Sequence, residues 1–64
     1  MVKLTRNPSG HPHPVEAELT DVDLPSYVNY GVGKDELEAV ADLKKKVAEY
    51  IRSLEQAYYK MLNG

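Results

Sequence analysis

There is no cysteine in this 64-residue sequence. That excludes disulfides, thiolate zinc sites, iron–sulfur ligation and a cysteine nucleophile. No apolar run approaches the ~18 residues of a membrane span. The start, Met1-Val-Lys-Leu-Thr-Arg6, has no apolar stretch of signal-peptide type. The cytoplasm is therefore the default expectation, and residence in a larger particle or virion is compatible with it. Nor is there an excess of positive charge. Eight Lys and Arg stand against ten Asp and Glu, for a net charge of −2 and a pI near 5.5. A dedicated nucleic-acid module is expected to be basic, with a pI above ~9, so nucleic acid is a disfavoured partner.

Shortness is a further constraint. A chain of this size buries only ~60% of its unfolded surface and is marginal alone. Small scaffolds add disulfides, a metal or a partner. Without cysteine, a protein partner or a homo-oligomer is the expected route.

Proline is missing from the second half. Pro8, Pro12, Pro14 and Pro25 all lie in residues 1–33, with Gly10, Gly31 and Gly33. Proline fixes φ and removes an amide donor, so no long helix crosses that half. Residues 34–64 contain only the terminal Gly64 as a breaker. The expected organisation is one small, mainly α domain. Residues 1–33 form an extended arm or short β-hairpin plus a linker, and residues 34–64 carry one long amphipathic helix over about 34–62.

The helix signals agree with one another. Asp35 and Glu38 have capping-box spacing. Asp35, Glu36 and Glu38 place negative charge at the positive end of the helix dipole, and Lys60 lies in the last turn. Asn63-Gly64 suit the exit. Good helix formers fill the interval, and Asp42 and Lys46 make an acid-first i,i+4 pair.

The apolar spacing points to docking. Val40, Leu43, Val47, Tyr50, Leu54, Ala57 and Met61 alternate at steps of three and four, an a/d seam of about three heptads. Leu37, Ile51 and Tyr58 form a second row at e, interrupted by Lys44, and Ala41 and Ala48 lie beside the seam at b. The face is wider than a coiled-coil strip, and e and g lack the opposed charges of a parallel dimer. A bundle, a groove or the first half of the same chain is the expected cover. At about 1.5 Å per residue the helix is about 43 Å long. Val2, Leu4, Val15, Ala17, Leu19, Val22 and Leu24 are too few to cover it. Leu37, Val40, Leu43, Val47, Tyr50, Ile51, Leu54, Tyr58 and Met61 are therefore expected at an intermolecular contact.

In the first half, Val15, Ala17 and Leu19 alternate with Glu16, Glu18 and Thr20, a strand period. Val2 and Leu4 alternate with Lys3 and Thr5. A hairpin joining 2–5 to 15–20 is one expectation, with Lys3 and Arg6 facing Glu16 or Glu18. An arm that orders on a partner is the other. In the linker, Pro25 suits the start of a short turn. Gly31 and Gly33 suit positive φ and a chain reversal. Tyr27, Val28, Tyr30 and Val32 are expected to fold back near Leu37 and Val40. Tyr27 and Tyr30 are alternatively anchors on a partner, tyrosine being enriched at interface hot spots.

Chemistry is thinly represented. His11-Pro-His13 offers two imidazoles, but zinc needs about four ligands, and only Glu16, Glu18 or a partner could add them. No metal or other cofactor is expected. Glu16 and Glu18 share one strand face towards solvent, without the burial that tunes a catalytic carboxylate. Gly31-Val-Gly33-Lys34 lacks phosphate-loop spacing, and Asp35 opposes a phosphate there. Lys44-Lys45-Lys46 spreads around the helix rather than forming one patch. The expectation is a non-enzyme, a structural or assembly subunit that docks by helix and arm into a larger complex, cellular or viral. A small inhibitor or adaptor of one target is the alternative, and a nucleic-acid binder using Lys45, Arg52 and Tyr59 is a remote one.

Overall fold

The structure is a computed structural model and describes residues 1–63. Gly64, expected in the helix exit, lies outside the described residues. Three strands, β1 (Val2–Arg6), β2 (Val15–Leu19) and β3 (Tyr30–Gly33), precede one helix, α1 (Glu36–Leu62). The strands form an antiparallel sheet in the order β1-β2-β3. The class is thus α+β rather than mainly α: the hairpin exists, and a third strand extends it.

The β1–β2 pair follows from its period-two pattern. Leu4 lies opposite Ala17, and Lys3 opposite Glu18. One face carries Val2, Leu4, Val15, Ala17 and Leu19. The other carries Lys3, Thr5, Glu16 and Glu18. Arg6 falls on the apolar face, so it pairs with Glu36 of α1 (2.6 Å) and not with Glu16 or Glu18. Asn7 closes the loop. Its N–H donates to the Pro14 carbonyl (2.8 Å), and its Nδ2 donates to the His13 carbonyl (2.6 Å) and to Glu16 Oε2 (3.0 Å). Gly10 takes φ +90° in the Pro8–His11 turn, where His11 N–H donates to the Pro8 carbonyl (3.1 Å). A positive φ at the third position of a turn is one that glycine adopts without steric cost.

β3 is the strand that the alternation conceals, because Gly31 and Gly33 stand where large apolar residues would. Neither has positive φ, since Gly10 is the only such residue among those described. They permit close approach instead. A Cβ on Gly31 would overlap the Ala39 carbonyl oxygen and the Leu43 amide nitrogen. One on Gly33 would lie 2.7 Å from the Ala39 nitrogen. The α1 backbone therefore rests directly on β3.

α1 also covers the outer edge of that strand. Val32 N–H donates to Asp42 Oδ2 (2.9 Å), and Lys46 Nζ donates to the Tyr30 carbonyl (2.9 Å). The i,i+4 pair that suits a solvated helix thus occupies backbone groups that an edge strand leaves open. At the opposite edge no described residue does so. Thr20 N–H donates to the Met1 carbonyl and Asn7 N–H to the Pro14 carbonyl. By antiparallel alternation, the N–H and C=O groups of Val2, Leu4 and Arg6 then point away from the sheet.

The core is small. Val15, Ala17, Ala39 and Leu43 pack together, with Leu19, Val40 and Val47 half-buried against them, and Val28 is the buried residue of the 20–29 connection. Full burial of a Val or Leu contributes about 1.5–3 kcal/mol, so these few side chains leave a thin margin. From Ile51 to Asn63 every residue is exposed, about 18 Å of helix beyond the sheet. The extents are 52 × 20 × 16 Å and the radius of gyration is 14.5 Å, against about 11 Å for a compact chain of this length.

Candidate functional site

The helix begins as its sequence dictates. Asp35 is the N-cap, and its Oδ1 accepts from Glu38 N–H at 2.8 Å. Glu38 Oε1 reaches back one residue further than a capping box requires, taking Lys34 N–H at 3.3 Å. Helical geometry then sends three stripes in different directions.

The first stripe faces the sheet. Leu43 is buried in the chain's own core, which corrects its assignment to an intermolecular contact. Val40 and Val47 are partly covered by the same core. Val15, Ala17 and Leu19 supply that cover, while Val2 and Leu4 remain exposed at its margin. Ala39 is fully buried and lay outside the apolar seam in the heptad reading. Its small side chain is what the glycines of β3 require opposite them, and a Gly-x-Gly run facing an alanine was the available signal.

The second stripe meets the 20–29 connection. Pro25 opens a turn, with Val28 N–H donating to its carbonyl at 2.9 Å. The Tyr27 ring meets Tyr50 edge-on at 6.4 Å. The tyrosine segment therefore packs at the middle of α1 and not on its first turns near Leu37 and Val40. Tyr30 does not fold back at all. It lies across from Glu18 on the open sheet face, half-exposed. The Glu18 carboxylate, with some desolvation, pushes its phenol above the ordinary value.

The third stripe is bare. Leu37 (83% exposed), Ile51, Leu54, Tyr58 and Met61 line it, with Leu62 at its end. Along its first half it forms one wall of a groove whose other wall is β1. Val2, Val40, Val47 and Ile51 line about 410 Å³ of this groove, and Leu4 and Leu37 extend it towards the helix start. Only two charges interrupt the stripe, Lys44 in its first half and Glu55 in its second. The nine helix residues expected at one contact are thus divided: Leu43 lies inside the chain, Val40, Val47 and Tyr50 are half-buried against it, and Leu37, Ile51, Leu54, Tyr58 and Met61 are free.

Polar groups are arranged for structure. The Asp42 carboxyl is held below its ordinary value, chiefly by the Val32 N–H and then by Lys46. His11 and His13 are exposed, and His11 Nδ1 accepts from His13 N–H at 3.0 Å. Among the described residues, no three His, Asp or Glu side chains cluster as metal ligands would. No described helix is long and apolar enough to cross a membrane. No family model, no curated protein and no solved structure matches this chain.

Proposed function

We propose that this protein is a non-catalytic assembly subunit, and that its bare α1 stripe docks against another amphipathic helix. The observation that carries the reading is the half-supported helix. The first half of α1 is held by the sheet, and the second half presents Leu54, Tyr58 and Met61 to water. Soluble monomers rarely keep so large a contiguous apolar patch uncovered. Isolated helices near this length are marginal in water, so the projecting half gains stability chiefly from whatever covers it. The groove beside it is apolar and open, lined by Val2, Val40, Val47 and Ile51, the kind of surface on which the apolar face of an amphipathic helix packs.

The test is the native mass of the chain recovered from its source. Wild-type protein should run in an assembly heavier than 7.2 kDa, and Leu54→Asp should release it. Leu54 lies beyond the sheet, so that variant keeps the domain folded. Recovery of wild type as the free chain refutes the reading.

A further inference from the structure

We infer that the partner helix is α1 of a second copy, laid antiparallel across a two-fold axis between Tyr50 and Ile51. The inference rests on the assembly reading above and names the occupant.

The pairing follows from residue numbers on one face. An axis at that point sets Val47 opposite Leu54 of the second copy, and Val40 opposite its Met61. Each projecting tail then enters the other copy's groove, between α1 and the β1 side chains Val2 and Leu4. The two sheets sit at opposite ends of the helix pair and do not collide, because each covers only the first half of its own helix. The half-supported helix and the open groove are thus two sides of one contact.

Charge selects the direction. Lys44 and Glu55 interrupt an otherwise apolar stripe. Antiparallel packing brings Lys44 of each copy within about 3 Å, measured along the axis, of Glu55 in the other. A parallel pair would set Lys44 against Lys44 and Glu55 against Glu55. The cost of like charges at close quarters disfavours that arrangement.

The area agrees. The chain exposes 5019 Å², whereas a compact monomer of its mass exposes about 4,100 Å². The excess is close to the ~800 Å² that each partner buries in an interface of standard size.

The experiment is sedimentation equilibrium on the purified chain, with circular dichroism to verify folding. Wild type should be a dimer at high micromolar concentration. Lys44→Glu and Glu55→Lys should each weaken it about tenfold, and the double exchange should restore it. Because the chain has no cysteine, single cysteines report geometry cleanly. Ile51→Cys should cross-link on oxidation, since its partner lies about 2 Å away along the axis. Tyr58→Cys should not, since its counterpart is about 22 Å away. Cross-linking through position 58, or no rescue by the double exchange, overturns the antiparallel pair. A wild-type chain that stays monomeric when purified overturns the dimer. The assembly reading would still stand if the chain from its source ran in a heavier complex released by Leu54→Asp.

Discussion

Replacing Gly31 by alanine separates two roles for a strand glycine by the sign of the effect. If Gly31 merely lacked a side chain, alanine would stabilise the protein by about 0.4–1 kcal/mol, because its φ is accessible to any residue and the unfolded chain would lose freedom. The structure reverses that sign. The new methyl group would overlap the Ala39 carbonyl oxygen and the Leu43 nitrogen, and neither backbone atom can turn aside. The helix must lift from β3 by about 1 Å, a gap that forfeits a quarter to a half of the dispersion well of each atom pair it opens. Val15, Ala17, Ala39 and Leu43 meet across that seam. With full burial of a Val or Leu worth about 1.5–3 kcal/mol, the loss is about 2–4 kcal/mol. Lifting also stretches the bond from Val32 N–H to Asp42. A domain of this length has a total stability of roughly 3–10 kcal/mol, so Gly31→Ala should be near the edge of folding. Urea denaturation followed by far-ultraviolet circular dichroism measures the change. Gly10→Ala is the reference: it has positive φ and nothing within 4 Å of the added carbon, so only backbone strain of about 1–2 kcal/mol applies. A Gly31→Ala protein at least as stable as wild type would refute the close-approach account of β3.

Four further substitutions probe the remaining contacts. Val47→Asp should destabilise the chain itself by about 3 kcal/mol, because that side chain packs on the core and a charge there is unpaired. Leu54→Asp should disrupt association but, compared at concentrations where both proteins are dissociated, change folding stability by no more than ~0.5 kcal/mol; equal unfolding losses in urea there would show that the two positions share one environment. Removing the Asp42 carboxylate by Asp42→Ala leaves Val32 N–H without its acceptor and should cost about 1 kcal/mol, measured by the same denaturation. The folded Asp42 value lies below the ordinary 3.8. Its contribution is therefore complete above that pH and fades as pH falls through the lowered value, so Asp42→Ala should flatten the acid limb of wild-type stability. Asn7→Ala removes the donor to the His13 carbonyl and Glu16 and should cost about 1 kcal/mol, whereas a freely solvated loop would show no change in thermal midpoint.

The sequence by itself determined the elements whose signals are local. Asp35, the proline-free interval and the steps of three and four defined α1 to within two residues at its start, because caps and helix propensity act over a few neighbours. The alternation in residues 15–20 and 2–5 offered the hairpin for the same reason, but left an arm that orders on a partner equally open, because pairing of two short strands depends on the helix and third strand that support them. Tertiary structure alone decided where Gly31 and Gly33 belong, since close approach depends on a backbone that arrives from residues 39–43 and leaves no mark on local period. It also decided that Arg6 meets Glu36, because one residue of register chooses the face. The division of the apolar stripe was decided the same way. Val40, Leu43 and Leu54 read alike along the chain, but a sheet with strands of about 17 Å covers only the first half of a helix more than twice that length. Side-chain chemistry makes Leu43 and Leu54 equivalent; the reach of β2 and β3 buries one and leaves the other for a partner.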